Sequence, residues 1–425
     1  GLVALYDDEG IRTLVALEMQ ASGNLIAPTM FGEFYYNKPP LYNWILLAVF
    51  ELTGQNDEFI ARLSTVFFLL LFCFTVWKMS STIRQFGSSS TVKTAELPNC
   101  RTQKLPNSKN MKEVVGHGDF KYSVDKEWGV QDPSKIPVND CHEMVLDSQG
   151  RILMTTTGSD NNNILVYDKS GKVLKSWGTE FPGAHGLSIM GEGSDQFLFI
   201  TDPDTHKVSK TTLDGKILMT LERPKEVAGY ESNDQFKPTE TAILPNGDFY
   251  VADGYGENFI IRYNAKGEYL SHFGGKGEGD DKFNCCHGIT LDTRDGPNPT
   301  LLITSRASQE FKRFSLDGQH LETISLPGCS ICRPVIHGEN IYFAVIVTKT
   351  WDTWDGMIAI LDKNNKVVSF PGGNSPTYSN GILNEPVYDG GTFKNPHDVL
   401  VDGDGNLYIP QWASNKTYPI KLNRI

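Results

Sequence analysis

Residues 247–274 read GDFYVADGYGENFIIRYNAKGEYLSHFG, three β-rich runs of which the last two are joined by an Asn-Ala-Lys-Gly turn. Units of the same pattern begin at Gly150, Gln196, Thr300, Asn340 and Gly405. A short apolar run precedes each unit, beginning near His142, His185, Thr239, His287, Pro334 and His397. A repeat of this length governs the fold, because one unit cannot bury its apolar surface alone. Turns such as Lys-Ser-Gly and Leu-Asp-Gly between alternating runs are hairpin signals. Six copies of four short strands predict an all-β chain, a six-bladed β-propeller. A solenoid is disfavoured, because no copy has the character of a terminal cap. The sixth unit stops after its third strand. The segment Asp119–Trp128 is the candidate for its missing outer strand, which would close the ring and remove exposed sheet edges.

Residues 1–80 have a different character. LSTVFFLLLFCFTVW, Leu63–Trp77, is uncharged and almost wholly apolar. It is short for a span of about 20 residues, but Arg62 and Lys78 can snorkel and lengthen it. A membrane helix over about 60–78 is expected, so the chain reads as membrane-anchored. The apolar run Leu41–Phe50 is too short to span and is expected at the interface. No signal peptide of the usual form opens the chain, and the pattern at Gly1 reads as the continuation of an earlier segment. Residues 81–111 are rich in Ser, Thr, Asn and Lys and read as a linker. The propeller is then expected over 112–425. Lys78 and Arg84 after the span suggest that this side faces inward, but the side of the membrane on which the propeller lies stays open.

The formal net charge of -12 excludes nucleic acid as a partner, since phosphate binding needs clustered basic residues. Single basic residues remain free for a small-molecule or peptide ligand with a carboxylate. Seven cysteines leave at least one thiol unpaired and do not form a small secreted framework. Cys329 and Cys332 form a single CxxC, a weak metal or redox signal beside a structural role. Cys285 and Cys286 are expected to pack against their strand.

Numbering the blades from His142, the stretches GAHGLSI, CCHGITL and NPHDVLV place His185, His287 and His397 on blades 2, 4 and 6. Alternate blades of six stand a third of a turn apart, so the imidazoles converge on the channel axis. Three neutral nitrogen donors with an open position suit catalytic zinc. Imidazole also suits copper, iron and nickel. His142 has the same register on blade 1. It is a further ligand, a partner behind the ligands, or a channel-lining residue. Thr157, Asp202, Tyr255, Arg306 and Trp412 fall at the channel mouth, where second strands end. A phenol beside a dication is a candidate base. An arginine there is a candidate carboxylate clamp.

The motifs AHGLSI, VADGYGENFIIRY, CHGITL, SRASQEFKRF and NPHDVLVDGDGNLYI resemble those of NHL-repeat propellers of the peptidyl-α-hydroxyglycine α-amidating lyase type. They occur in the same order across four blades. The resemblance implies zinc on His185, His287 and His397, a catalytic Tyr255 and a substrate-binding Arg306. It implies a structural calcium on the backbone carbonyls of Met144, Leu187 and Asp398. It also implies cleavage of peptidyl-α-hydroxyglycine to a peptide amide and glyoxylate. Three positions depart from the pattern: a second arginine falls at Thr157, a methionine at Asn395, and a disulfide cysteine at Gly256. The N-terminal stretch from Tyr6 to Trp44, with its acidic cluster Asp7, Asp8 and Glu9 and its KPPLYNW, resembles a loop of membrane glycosyltransferases that use polyprenyl-phosphate sugars. Only a fragment of such an enzyme is covered. A propeller that binds without catalysing is the alternative expectation.

Overall fold

The structure, a computed structural model, describes residues 113–425 apart from 295, 348–354, 389–390 and 413–415, together with scattered positions between 15 and 53. The chain divides into two units, 1–104 and 105–425. In the first, Thr29–Met30 pairs antiparallel with Glu33–Phe34, and Val15, Ala16, Met19, Leu47 and Phe50 are buried helical positions. Among the described residues no helix is long and apolar enough to cross a membrane. The expected span over 60–78, the linker and the acidic cluster Asp7–Glu9 lie outside the described residues.

The second unit is a ring of six antiparallel sheets. Blade 1 runs outward through Cys141–Leu146, Ile152–Thr156, Ile164–Tyr167 and Val173–Trp177. Blade 2 is Leu187–Met190, Phe197–Asp202, Lys207–Thr212 and Ile217–Leu221. Blade 3 is Glu240–Ile243, Phe249–Ala252, Phe259–Tyr263 and Tyr269–Gly274. Blade 4 is Ile289–Asp292, Thr300–Ser305, Glu310–Phe314 and His320–Ser325. The inner strands touch in sequence around the axis, blade 6 meeting blade 1.

Burial follows from this geometry. Each middle strand is covered on both faces by neighbouring blades, so ILMTT at Ile152–Thr156 and ILVY at Ile164–Tyr167 are buried throughout. Outer strands meet solvent on one side, and Ile217–Leu221 is largely exposed. The apolar cores therefore lie between blades. Phe311 and Phe343, for example, meet edge-on at 5.0 Å between blades 4 and 5.

Blade 6 is built from Leu400–Val401, Leu407–Ile409 and Ile420–Arg424, and closes with Phe120–Asp125 from before blade 1. Leu422 pairs with Val124 and Lys421 with Asp125. The expected closing strand is thus in place, and Val114–His117 extends the sheet by a fifth. Trp128 then packs at 5.4 Å from Tyr167 of blade 1 and 4.8 Å from Tyr408 of blade 6. At Gly171 the backbone has φ +89° and a Cβ would stand 2.5 Å from the Gly129 nitrogen, so no other residue fits this seam.

Blade 5 departs from the pattern. Its long strand Asn340–Val347 leads to Met357–Leu361 and Val367–Ser369, but two short pieces, Ser330–Ile331 and Val335–His337, share its inner edge. Cys332, Arg333 and Pro334 fill the gap. Pro334 has no N–H to give to the ladder. The blade-5 residue in register with the histidines is Cys332, two positions before the Pro334 expected from sequence. The amides of His185, Thr239, Cys332 and His397 all donate to second-strand carbonyls, those of Thr201, Ala252, Ala344 and Pro410.

Candidate metal centre

The register delivers the expected convergence. The ring centroids of His185, His287 and His397 form a triangle with every side 4.8 Å. Imidazoles bound to one tetrahedral zinc at the usual bond length would hold their centroids about 5 Å apart. His185 Nε2 and His287 Nε2 stand 3.1 Å apart, against about 3.3 Å for two nitrogens on one tetrahedral zinc. All three side chains are buried.

Hydrogen bonds fix the direction of the lone pairs. His185 Nδ1 lies 2.9 Å from the Thr239 carbonyl, and His397 Nδ1 lies 3.1 Å from the His142 carbonyl. A carbonyl only accepts, so both Nδ1 atoms carry hydrogen and both Nε2 atoms are bare. His287 Nδ1 is buried without a partner. Burial pulls His185 down to about 3, with Arg306 and Arg333 adding to it. Burial first, then neighbouring charges, holds His142, His287 and His397 well below the ordinary imidazole range. The rings are therefore neutral donors at neutral pH. Facing lone pairs in a dry site are costly unless a cation lies between them, and this donor set fits a zinc-like ion.

His142 stands 4.5 Å from both His185 and His397 by ring centroid. Its Nδ1 is 3.4 Å from His397 Nε2, and its buried Nε2 has no partner. Among the described residues, two donor groups converge within 4.8 Å: His142 with His185 and His397, and His287 with Cys332 and His397.

The Tyr255 hydroxyl is 3.1 Å from His185 Nε2 and 3.0 Å from His287 Nε2. Tyr255 is 41% exposed as a residue, and its hydroxyl stands between the two imidazoles. Burial raises the phenol above its ordinary range, and Arg306 works against that rise. Arg306 Nη1 donates to the Tyr255 oxygen at 3.5 Å, Nε to the Ile331 carbonyl at 3.0 Å, and Nη2 to Cys332 Sγ at 3.2 Å.

Two cavities open here. One of about 670 Å³ is lined by His142, His185, Thr157, Lys237, Tyr255 and Trp412. The other, about 300 Å³, is lined by Arg306, Cys285, Tyr255 and Trp412. Tyr255 and Trp412 stand between them. Thr157, which accepts from Asn139 Nδ2 at 3.2 Å, lines the larger cavity where an arginine was expected. Asp202 instead caps a turn, accepting from the Gly183, Asp204 and Thr205 amides. A Cβ at Gly256 would lie 2.1 Å from both Asp253 Oδ1 and the Gln235 carbonyl, which bars a cysteine there.

The calcium expected at Met144, Leu187 and Asp398 meets a built-in cation. Arg333 Nη2 donates to the Met144 carbonyl at 2.9 Å and Nη1 to the Leu187 carbonyl at 3.0 Å. Its Nε and Nη2 bind the Asp398 carboxylate at 2.9 and 2.8 Å. Glu143 and Glu240 pair with Nη1 at 3.1 and 3.3 Å. Two of the three expected carbonyls, those of Met144 and Leu187, converge, but on a guanidinium, and Asp398 contributes its side chain. Sequence reasoning did not single out Arg333 or the register of Cys332. The ICRP stretch, with a proline interrupting an inner strand, was the available signal.

Cys141, Cys285, Cys286, Cys329 and Cys332 are free thiols. Cys329 packs in the core between blades 4 and 5, whereas Cys332 turns to the channel. The CxxC therefore does not act as one pair. Cys286 is buried in a core as expected, while Cys285 lines the smaller cavity at φ 65°.

The fold and its relatives make the chain a six-bladed β-propeller like those of NHL-repeat and amidating-lyase proteins. It is 24% identical over 271 residues to "Probable peptidyl-alpha-hydroxyglycine alpha-amidating lyase pgal-1" of Caenorhabditis elegans, covering 62% of this chain and 71% of that protein. It is 38% identical over 267 residues to peptidyl-alpha-hydroxyglycine alpha-amidating lyase 1 of Drosophila melanogaster, covering 57% and 45%. It is 28% identical over 150 residues to NHL repeat-containing protein 3 of Mus musculus, covering 34% and 43%. The chain thus spans less than half the length of the fly and mouse relatives. No family model matches the sequence.

Proposed function

We propose that the propeller is a metal-dependent lyase that cleaves peptidyl-α-hydroxyglycine to a peptide amide and glyoxylate. The observation that carries this reading is the Tyr255 hydroxyl, 3.1 and 3.0 Å from the His185 and His287 nitrogens and within reach of Arg306. His185, His287 and His397 would hold the metal, which when bound supplies a Lewis acid for the substrate's oxygen. Tyr255 removes the hydroxyl proton of the substrate. The freed electron pair becomes the carbonyl of glyoxylate as the carbon–nitrogen bond breaks. The nitrogen leaves with the bonding electrons and takes up one proton, so the proton count closes. Arg306 keeps a positive charge beside the phenol and favours its ionised form, and from the smaller cavity it orients the substrate carboxylate. Burial of the rings keeps competing protons off the nitrogens.

Glyoxylate release from a peptidyl-α-hydroxyglycine tests the reaction. Tyr255→Phe is expected to lower the rate by roughly 10²–10⁴-fold, the range for a general base, with bound metal unchanged. Robust metal with no release from the intact protein refutes this substrate. A second reading, a propeller that binds a carboxylate-bearing peptide without catalysis, is favoured by Thr157 in the larger cavity and by the prior engagement of Arg306. It predicts that His185→Ala with His287→Ala leaves ligand binding intact. As part of the same proposal, the apolar run Leu63–Trp77 anchors the chain to a membrane. Release of the protein from membranes by high salt alone would refute the anchor.

A further inference from the structure

Six inner strands line the channel, and each presents one residue at the level of the histidines. Blades 1, 2, 4 and 6 present His142, His185, His287 and His397. Blade 3 presents Thr239, whose carbonyl is already bound to His185 Nδ1 and whose hydroxyl faces the Ala252 carbonyl at 3.2 Å. Blade 5 presents Cys332, in the same register by its amide bond to the Ala344 carbonyl. Its side chain is fully buried and free of any disulfide.

We propose that Cys332 is a protein ligand of the metal centre, adding one sulfur to its imidazole donors. This rests on the metal centre of the proposed function. Sγ converges with donor atoms of His287 and His397 within 4.8 Å. Its nearest charged neighbour is the guanidinium of Arg306, whose Nη2 donates to it at 3.2 Å. The thiolate, not the thiol, binds metal, so binding would release the Cys332 proton, and the Arg306 guanidinium stands where it would face that sulfur. The break at Pro334 gives the arrangement its physical cause. It frees the backbone so that Cys332 faces the histidine end of the channel while Arg333 enters the carboxylate end. Sulfur in place of water narrows the choice of metal toward zinc and other thiophilic ions. With Cys332 bound beside the three histidines, the substrate's oxygen would enter as a fifth donor, the expansion open to catalytic zinc sites. Arg306 then has a second role, balancing a thiolate.

The test is to load the whole chain with Co²⁺ and record its electronic spectrum. A near-ultraviolet sulfur-to-cobalt charge-transfer band is expected, lost in Cys332→Ser and kept in Cys285→Ser. The visible bands of histidine-bound cobalt persist in both variants. X-ray absorption at the zinc edge of the zinc-loaded wild type reads the same bond without any variant. A sulfur shell at about 2.3 Å is expected beside nitrogen at about 2.0 Å. Metal bound with nitrogen and oxygen neighbours alone, and no charge-transfer band, overturns this inference while leaving the centre intact. A chain that takes up neither metal overturns the centre itself, and this inference with it.

Discussion

Arg333→Met removes the guanidinium that joins blade 5 to four other blades at the carboxylate end of the channel. In the native protein it donates to the Met144 and Leu187 carbonyls and to both oxygens of Asp398, and it pairs with Glu143 and Glu240. The three acidic side chains are 0–1% exposed and that of Arg333 12%, so little water can take its place. Stripping one partner from a buried ion pair costs about 3–5 kcal/mol. Burial already holds the Glu143 carboxyl well above its ordinary range. The three carboxyls share one guanidinium, so the expected loss is that of one buried partner rather than three. At roughly 2 °C per kcal/mol for a domain larger than 250 residues, the melting temperature should fall by about 6–10 °C. The loss should shrink in acid. Carboxyls left without a cation have raised native pKa values, so their stability is present when they are protonated and lost as pH rises through those values. Thermal unfolding of wild type and variant followed by circular dichroism at several pH values measures both effects. A loss below about 1 kcal/mol, the range of exposed pairs, with no dependence on pH would refute the reasoning.

Other outcomes follow from the same contacts. Arg333→Ala leaves an oxygen-lined space among Met144, Leu187, Glu143, Glu240 and Asp398, so added calcium should raise the melting temperature of this variant and not that of wild type. Leu422→Ala removes a fully buried side chain at the closing seam of blade 6 and should cost about 2–5 kcal/mol; chemical denaturation measures it. Burial lifts Asp253 to about 7 against the bonds from Tyr230, Lys237 and Glu257. Its contribution is complete below the unfolded carboxylate range and is lost as pH rises through about 7. Wild type should therefore lose melting temperature across that pH, and Asp253→Asn should lose less.

The ring and the histidine triangle were legible because both rest on periodicity. Turns recurring at fixed spacing set the blades. One histidine at the same offset in blades 2, 4 and 6 set the triangle, and the structure keeps it to equal sides. The closing strand was legible because blade 6 lacked one and Asp119–Trp128 was otherwise unassigned. Blade 5 resisted the same reading. Its inner strand is interrupted at Cys332–Pro334, so counting from the apolar run at Pro334 shifted the register by two. That slip hid Cys332 from the ring of channel residues and hid Arg333 altogether. An arginine before a proline carries no periodic signature, and its three carboxylates come from blades 1, 3 and 6. Tyr255 was legible by position, yet its contact with two imidazoles depends on a loop path. The Tyr255 amide to the Lys237 carbonyl and the close packing at Gly256 set that path.

The central claim is that His185, His287 and His397 hold one metal ion between them. Elemental analysis of the purified whole chain, before and after zinc reconstitution, tests it most directly. One tightly held ion per chain is expected, lost when His185→Ala and His287→Ala are combined in a protein that still melts cooperatively. A folded wild-type chain that neither carries nor takes up stoichiometric metal would contradict the account.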